Sequence, residues 1–493
     1  MSVLAIDAGT TGVTALVVAP DGRVTARGYQ EFPQHFPAPG WVEHEPEQIW
    51  LAVLSACAQA LDVMAGRPAV DQPTALGLTV QRETVVLWDR RTLRAPRRAI
   101  VWQDRRTAAL CTELAEEGHG DRVAELTGLR LDPYFSGTKL RWLAEHDPRS
   151  WEGVTAGTTA VGTVDAYLLA RLTGGRVHAT DPSNASRTLL YDLAAADWSE
   201  ELCALFGVPR AALPTLVPSS GVVATTDPEA FLGLALPVAG IAGDQQAALF
   251  GQACFGVGDS KCTYGTGSFV LVNTGRELVS RAGLLTTVAW DLGDGVSYAL
   301  EGSIFVTGSA VQWLRDGLGI LGAAAEIEGL AATVLDTGDV YFVPALTGLG
   351  VPLWDPGARG TIVGITRGTT RAHLARATLE AIAFEVRDVV DVMVEAGLAV
   401  PELSVDGGAS ANDLLCQLQA DQLGVPVRRP RVTETTALGA AFLAGLATGV
   451  WSSTDELART WALDRRFAPV AGARDDGRHA RWRQAVERSL SWC

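Results

Sequence analysis

A glycine- and threonine-rich turn beside apolar, β-rich sequence occurs twice in this chain, near its start and again near its middle. The first copy is the turn at residues 7–12, between the apolar runs 3–6 and 13–19. The second copy is the turn at residues 263–268, which is followed by the apolar run 269–272. Apolar runs around a tight turn predict a β-hairpin. The repetition therefore predicts a chain built from two halves of similar topology.

The boundary between the halves is expected near residue 250, which gives one domain at residues 1–250 and another at residues 251–493. Strand and helix patterns alternate along both domains, and this alternation predicts an α/β fold. No low-complexity or proline-rich linker separates the domains, so they are expected to share an interface.

Hydrophobic periodicity places the other main elements. In the first half, a helix is predicted from about Pro46, and a strand at residues 74–80 is expected to pair with a strand at residues 85–88. In the second half, a long helix is predicted from about Arg371, followed by a strand at residues 403–405.

The charge balance narrows the classes of partner. The chain has 40 Lys and Arg residues against 56 Asp and Glu residues, a formal net charge of −16, and it has no basic run. Such a chain is a poor candidate for binding nucleic acid or an anionic membrane. Phosphate groups can still be bound locally, because backbone N–H groups in a turn need no net positive charge.

The cysteines and the apolar segments indicate a cytoplasmic protein. Seven cysteines are scattered without zinc-site spacing, which is typical of reduced thiols. The first residues carry no signal-peptide pattern, since Asp7 interrupts the apolar run. The most apolar stretch, residues 437–451, is short and rich in Gly and Ala, so a closely packed buried helix is expected there and no membrane insertion.

Two common nucleotide motifs are excluded. Neither of the two lysines follows a glycine, so the chain has no P-loop. Residues 317–322 match G-x-G-x-x-G, but they follow a helical pattern at residues 311–315, whereas a dinucleotide fingerprint requires a preceding strand.

The two repeated turns are candidate phosphate sites. Glycine allows close approach of the backbone, and Thr hydroxyls and turn N–H groups can donate to phosphate oxygens. Asp7, the first residue of the first turn, could hold Mg²⁺ through water. Each turn alone could equally be an ordinary hairpin turn. Two such turns together favour a pair of loops that hold one polyphosphate.

Asp244 is a candidate general base, because it follows the apolar run 236–241 and open α/β sheets build sites at the carboxyl ends of strands. The alternative is an ordinary helix N-cap.

Arg82 and Glu83, which are neighbours in the sequence, offer a forked donor and an acceptor for neighbouring hydroxyl groups of a ligand. The alternative is a solvated turn without a role. Trp102 could form an apolar wall for a ligand or simply belong to the core.

Taken together, these segments resemble the FGGY carbohydrate kinases nearly end to end, and especially the members that act on glycerol. The resemblance is carried by residues 40–44, 81–84, 101–103, 132–139, 184–188, 243–252, 264–267, 347–350, 405–409 and 436–441. The Gly/Thr turns are shared by many sugar kinases. The segments Gln-Arg-Glu-Thr at residues 81–84 and Gly-Asp-Gln-Gln at residues 243–246 are more specific.

The resemblance implies an actin/hexokinase-like (ribonuclease H-like) ATPase fold, with two lobes around a central catalytic cleft. It implies that the chain transfers the γ-phosphoryl group of ATP to glycerol, with Mg²⁺ anchored through Asp7 and Asp244 as the general base. The residues that it places around glycerol are Arg82, Glu83, Trp102, Tyr134, Asp244, Gln245 and Phe269. Those that it places around the nucleotide are Thr10, Thr11, Gly12, Thr266, Gly308, Gln312, Gly408 and Asn412. A cytoplasmic homodimer or homotetramer is expected.

The chain departs from the family pattern at two places. The first turn usually ends in an arginine that contacts phosphate, and Thr14 stands there instead. Some family members carry a Gly-rich, Arg-containing loop for a sugar bisphosphate inhibitor, but residues 227–237 contain no basic residue, which argues against that feedback.

Two other functions remain open from the sequence. One is a kinase for another small polyol or ketose, such as erythritol, dihydroxyacetone or xylulose. The other is a catalytically silent sensor of nucleotide or polyol; that function would predict damaged catalytic positions, whereas Asp7, Asp244 and both turns are present.

Overall fold

The computed structural model describes residues 1–492, in which strands and helices alternate as an α/β fold requires. The strands are β1 (Ser2–Ala8), β2 (Gly12–Val18), β3 (Val24–Glu31), β4 (Gln34–His35), β5 (Glu43–His44), β6 (Pro73–Val80), β7 (Val85–Asp89), β8 (Ala99–Ile100), β9 (Thr159–Thr163), β10 (Ala179–Thr180), β11 (Tyr191–Asp192), β12 (Asp197–Trp198), β13 (Thr215–Leu216), β14 (Ser220–Thr225), β15 (Pro237–Gly243), β16 (Ser260–Tyr264), β17 (Ser268–Gly275), β18 (Leu285–Asp291), β19 (Val296–Ile304), β20 (Tyr341–Val343), β21 (Thr361–Val363), β22 (Leu403–Asp406), β23 (Val427–Pro430) and β24 (Leu463–Phe467).

The α-helices are α1 (Pro46–Met64), α2 (Ala108–Glu116), α3 (Gly120–Thr127), α4 (Ser136–His146), α5 (Pro148–Thr155), α6 (Val164–Leu172), α7 (Pro182–Ala185), α8 (Glu200–Leu205), α9 (Asp244–Gly251), α10 (Gly308–Gln312), α11 (Glu326–Ala331), α12 (Arg371–Glu395), α13 (Asp413–Leu423), α14 (Thr435–Ala447), α15 (Thr454–Thr460) and α16 (Asp476–Glu487). Short 3₁₀ helices lie at Ala69–Asp71, Arg210–Ala212 and Gly408–Ala411, and a π-helical turn lies at Trp313–Gly317.

Each half is organised around one large mixed sheet, and the two sheets share a strand order. The first runs β3-β2-β1-β6-β15, and the second runs β19-β17-β16-β22-β23, with further strands at the edges of both. In each sheet an antiparallel hairpin is followed by parallel strands. This arrangement is the predicted ribonuclease H-like fold. The two hairpins are β1–β2 and β16–β17, so the repeated turns of the sequence have equivalent places. The domain boundary at residue 250 stays a prediction.

The predicted pairing of the strands at residues 74–80 and 85–88 is wrong. Strand β6 pairs with β1 and β15 on its two sides, so it has no free edge for β7. Strand β7 instead pairs with β8 and β9 in a separate five-stranded sheet. The four residues between β6 and β7 therefore connect two sheets, and their side chains lie inside the protein.

The two predicted helices begin where the sequence places them, at Pro46 and Arg371. Along α12, a stripe of side chains three or four residues apart faces the core and is at most 1% exposed: Ala375, Leu379, Ile382, Val386, Val389 and Met393. This stripe explains why so long a helix is stable, since tertiary packing of one apolar face supplies most helical stability.

Helix α14, from the second half, packs on the sheet of the first half and so joins the two domains. The contact depends on small residues. A Cβ atom at Gly77 would lie 2.1 Å from the carbonyl oxygen of Ala440, and one at Gly439 would lie 1.8 Å from that of Ala247 in α9. Glycine is required where backbones approach this closely. The expected closely packed buried helix is thus confirmed, and no helix within residues 1–492 is long and apolar enough to cross a membrane.

The six cysteines within the described residues are free, buried thiols, and Cys493 lies outside that part of the chain. The G-x-G-x-x-G segment at residues 317–322 follows α10 and the π-helical turn, not a strand, as predicted.

Candidate active site

A cavity of about 150 Å³ lies between the two halves, where the parallel strands of both sheets end. Its lining residues are Thr10, Arg82, Glu83, Trp102, Tyr134, Asp244, Gln245, Thr263, Gly265, Thr266, Gly267 and Phe269. All seven residues expected around the acceptor are among them. Pockets for drug-sized ligands occupy roughly 300–1,000 Å³. This cavity is therefore suited to a much smaller molecule.

The connections after parallel strands carry the polar lining. Arg82 and Glu83 follow β6, and Asp244 follows β15 in the same sheet. Because neighbouring parallel strands end at one edge of a sheet, these side chains meet there. Tyr134 precedes α4, and the buried ammonium of Lys139 fixes this loop by donating to the carbonyl oxygens of residues 133, 134 and 135.

The Arg82 guanidinium is the central donor of the cavity and is 2% exposed. Its Nε lies 3.0 Å from Oδ1 of Asp244, and its Nη2 donates to the Tyr134 hydroxyl over 3.3 Å. The two Nη atoms also bind the carboxylate of Glu301 over 2.5 and 3.2 Å. The interpretation of residues 81–84 as a solvated turn is therefore wrong, because burial orders both Arg82 and Glu83.

Glu83 has a left-handed backbone, with φ of 61°, which is uncommon for a residue with a side chain. Ser136 holds that conformation by donating to the Glu83 carbonyl oxygen over 3.0 Å, and Arg187 Nε donates to its carboxylate over 2.7 Å. Burial raises the pKa of Glu83, and Arg82 and Arg187 oppose the rise. Such local strain is often found at functional sites.

Asp244 is the first residue of α9, and Gly243 is the N-cap, so the N-cap interpretation of Asp244 is wrong. Its side chain is 26% exposed and faces the cavity. Burial raises the pKa of Asp244, whereas Arg82 lowers it. A carboxylate with these opposing influences can both ionise and accept a proton.

Asp7 at the end of β1 is a second carboxylate near Asp244. Burial raises the pKa of Asp7 to about 7, and the charges of Asp244 and Glu434 add to the rise. In the β1–β2 pairing, Thr14 lies directly opposite Asp7, so the position of the family's arginine is next to this carboxylate.

The first turn and the acceptor wall are joined by hydrogen bonds. Trp102 Nε1 donates to Thr10 Oγ1 over 2.9 Å, and the indole meets Tyr134 and Phe269 edge-on. Gln81 donates to the carbonyl oxygen of Gly9 over 3.1 Å. Trp102 is thus a wall of the cavity and not solely a core residue.

The second turn is supported by backbone from two other segments. The N–H groups of residues 307 and 308 donate to the carbonyl oxygens of Thr266 and Gly265. A Cβ atom at Gly407 would lie 2.5 Å from the carbonyl oxygen of Tyr264.

Of the eight residues expected around the nucleotide, only Thr10 and Thr266 line the cavity. Gly308 and Gln312 bound α10 beside the second turn, while Gly408 begins a 3₁₀ helix and Asn412 caps α13. Thr11 is exposed and Gly12 begins β2 at the first turn. These six positions stay predictions.

No role of Arg187 or Glu301 is predicted from the sequence. Arg187 belongs to the segment 184–188 that carried part of the resemblance, which is the one signal that could have marked it. Glu301 lies within the β-rich run of β19, where a charged residue reads as solvent-facing, yet it is fully buried. Lys261, also unassigned, donates to Gln245 and Thr263 at the cavity wall.

A larger, open depression of about 510 Å³ lies in the second half, at the start of α16. Its arginines already form ion pairs, Arg481 with Asp339 and Arg478 with Glu380. None of the predicted site residues lines it.

Comparisons with protein families match both halves. The profile of the FGGY family of carbohydrate kinases, N-terminal domain, matches residues 2–251, and that of the C-terminal domain matches residues 260–448.

Curated relatives are similar over almost the whole chain. A glycerol kinase of Bordetella parapertussis is 55% identical, covering 99% of this chain and 97% of its own. A glycerol kinase of Symbiobacterium thermophilum is 54% identical, with 99% and 98% covered.

Solved structures are similar as well. The glycerol kinase of Plasmodium falciparum, solved with ADP, superposes with a TM-score of 0.91 at 34% identity, covering 99% of this chain and 98% of its own. A xylulose kinase of Rhodospirillum rubrum gives a TM-score of 0.84 at 27% identity, with the same coverage.

Proposed function

This chain belongs to the FGGY family of carbohydrate kinases, and we propose that it is an ATP-dependent kinase that phosphorylates glycerol. One observation carries the choice of acceptor. The cavity between the halves is small, and a donor fork, two carboxylates and an aromatic wall meet in it. A three-carbon triol presents hydroxyl groups and a short carbon face, which match this lining.

The acceptor is held by Arg82, Glu83, Tyr134 and Gln245, with Trp102 and Phe269 against its carbon face. Arg82 donates hydrogen bonds and Glu83 accepts them, so adjacent hydroxyl groups are recognised as a pair. A buried polar group left unmatched costs about 1–3 kcal/mol. This cost disfavours acceptors that lack one of the hydroxyl groups.

In the chemical step, an acceptor hydroxyl oxygen forms a bond to the γ-phosphorus while the bond from that phosphorus to the β,γ-bridging oxygen breaks. ADP leaves, and the hydroxyl proton passes to the carboxylate of Asp244. A positioned general base contributes about 10²–10⁴-fold to such a rate. The loose transition state spreads negative charge over the phosphoryl oxygens, so positioning and electrostatics dominate catalysis.

The phosphates are held by the two Gly/Thr turns. Thr10, Thr11 and Gly12 act on one side, and Thr266 with the neighbouring Gly308, Gln312, Gly408 and Asn412 act on the other. Hydroxyl and N–H donors in a protected cleft stabilise developing charge without reorganisation. Closure of the two lobes after acceptor binding excludes water as a competing acceptor.

Asp7 is the residue that would hold Mg²⁺. No cluster of three or more metal-ligating side chains occurs within residues 1–492. Mg²⁺, however, is commonly held by one or two carboxylates together with substrate phosphates and water. Asp7 fits this mode, since its carboxylate lies beside Asp244 and a cation would relieve their repulsion. When bound, the ion neutralises charge on the β- and γ-phosphates.

An assay of ADP release with glycerol, erythritol, dihydroxyacetone and xylulose, with and without Mg²⁺, tests the function. We expect turnover with glycerol that requires Mg²⁺. Activity on xylulose with none on glycerol would overturn the choice of acceptor, and binding of ATP and glycerol without any turnover would support the silent sensor. Sedimentation of the same sample tests the expected homodimer or homotetramer. Use of ATP agrees with action in the cytoplasm.

A further inference from the structure

Two buried side chains that do not line the cavity hold the acceptor-binding pair in place. Glu301 lies in β19 of the second half, and Arg187 follows α7 in the first half. Both are 0% exposed. Together with Arg82 and Glu83 they form a closed ring of alternating charge.

The ring is continuous at hydrogen-bonding distance except at one side. Glu301 accepts from both Nη atoms of Arg82, and its Oε1 also accepts from Arg187 Nη2 over 2.9 Å. Arg187 Nε donates to Glu83 over 2.7 Å. Arg82 Nε lies 3.8 Å from the Glu83 carboxylate and closes the ring.

The ring places each buried carboxylate between two guanidinium groups. Burial alone would raise the pKa of Glu301, yet Arg187 and Arg82 lower it to about 2. A bidentate arginine–carboxylate pair also fixes the plane of the guanidinium. The fork of Arg82 is thereby oriented by a residue from the opposite half.

We propose that Glu301 and Arg187 are positioning residues for acceptor recognition, acting through Arg82 and Glu83. This inference rests on the proposed function only for the identity of the acceptor. Arg187 fixes the orientation of the Glu83 carboxyl group, and Glu301 sets the angle of the Arg82 fork. Because β19 also leads into residues 305–308 beside the second turn, Glu301 ties the acceptor pair to the half that holds the nucleotide.

The variants Glu301→Gln and Arg187→Lys test the proposal. Each variant weakens an ion pair that holds Arg82 or Glu83 in place. The KM for glycerol should therefore rise at least about tenfold. The KM for ATP should change less than about threefold. Glu301→Asp keeps the charge and should recover part of the loss.

Glu380→Gln is the matched control. Glu380 is a buried glutamate in the same half, paired with Arg376 and Arg478 at a distance from the cavity. It should lose thermal stability as Glu301→Gln does but keep the wild-type KM for glycerol. Calorimetric titration with glycerol, scaled to the folded fraction, gives a binding constant even when turnover is low.

A pH profile separates positioning from a general loss of structure. The charged and titratable groups around Glu83 are Arg82, Arg187, Glu301, Tyr134 and Lys139. Replacing Arg187 by Met removes a cation that lowers the pKa of Glu83. The pH below which the KM for glycerol rises should therefore move upwards, whereas Glu380→Gln should not move it.

Folded variants of Glu301 and Arg187 with an unchanged KM for glycerol would overturn the inference. So would equal increases in the KM values for glycerol and ATP. If the wild-type enzyme prefers another acceptor, the proposed function fails, and the same variants then test the positioning role with that acceptor.

Discussion

The two halves present equivalent hairpin turns to the cavity, but they line it with different chemistry. The first half contributes Thr10, Arg82, Glu83, Trp102, Tyr134, Asp244 and Gln245. The second contributes Thr263, Gly265, Thr266, Gly267 and Phe269, none of which is charged. The charged groups for the acceptor are therefore concentrated in the first half, while both halves contribute a Gly/Thr turn for phosphate. Charged side chains suit recognition of hydroxyl groups and proton transfer, whereas small residues and hydroxyls suit the close approach of phosphate.

The sharpest test of this division uses the residue at the start of the last helix in each half. Asp244 begins α9 and faces the cavity, while Asp476 begins α16 and pairs with Arg387 and Arg474. Asp244→Asn should lower kcat by about 10²–10⁴-fold, because the base is lost. Asp476→Asn should stay within about twofold of the wild-type kcat, since Asp476 does not line the cavity and exposed ion pairs contribute little. Steady-state kinetics measure both, and equal effects would remove the distinction between the halves.

Each half buries one of the two lysines, and a buried lysine makes the stability of its half depend on pH. Burial lowers the pKa of Lys139 to about 8 from its ordinary 10.5. Between these values the unfolded chain binds more protons than the folded chain, so this group makes the free energy of unfolding rise with pH. The rise is at most about 3 kcal/mol. Denaturant unfolding of wild type and Lys139→Met from pH 7.5 to 10.5 should show a smaller slope for the variant. A parallel pair of curves would contradict the shifted pKa.

The backbone of the second turn packs closely against its neighbours at only one of its two glycines. We therefore expect alanine substitutions at the two glycines to differ in effect. A Cβ atom at Gly267 would lie 2.2 Å from the carbonyl oxygen of Ile304, whereas one at Gly265 would meet only the carbonyl oxygen of Gly267, at 3.5 Å. Gly267→Ala should displace the turn at a cost of about 1–3 kcal/mol, which raises the KM for ATP by roughly 5–150-fold. Gly265→Ala is the control and should change this KM less than about threefold. The KM for ATP in the two variants decides whether the turn acts through its close backbone contacts.

The smallest expected effect concerns the hydrogen bond between Trp102 and Thr10, which joins acceptor wall and first turn. Trp102→Phe keeps an apolar face but loses this bond, whose net value is about 0.5–1.5 kcal/mol. The KM values for glycerol and ATP should each rise by about 2–10-fold. Thr10→Val should do the same, and the double variant should be no worse than either single one. Additive losses would show that the two side chains act independently.

Much of the fold could be predicted because its signals are local. The hairpins follow from turn residues between apolar runs, and α12 follows from a stripe at helical spacing. The pairing of β7 could not be predicted, since four connecting residues look the same whether they turn within one sheet or cross to another. That crossing is visible only once β1 and β15 are seen to occupy both edges of β6.

The residues of the site likewise fall into those that the sequence predicts and those that it does not. Arg82, Glu83 and Asp244 sit in short specific segments and were found through the resemblance. Arg187, in the turn after α7, and Glu301, in β19, are not predicted because charged residues are mostly exposed, so neither is expected in the interior. Their roles depend on each other across two halves of the chain, and nothing local marks that dependence. The position of Asp244 one residue inside α9, rather than at its cap, was likewise beyond local reasoning.

The burial of both lysines has a practical consequence, because the sequence contains no others. Lys139 and Lys261 are each 0% exposed, so the basic side chains at the surface are all arginines or histidines. Within residues 1–492, an amine-directed reagent therefore finds no exposed lysine on the native protein. Incorporation of reagent at either lysine would instead measure the fraction of molecules in which that lysine has become exposed. Each lobe contains one such lysine.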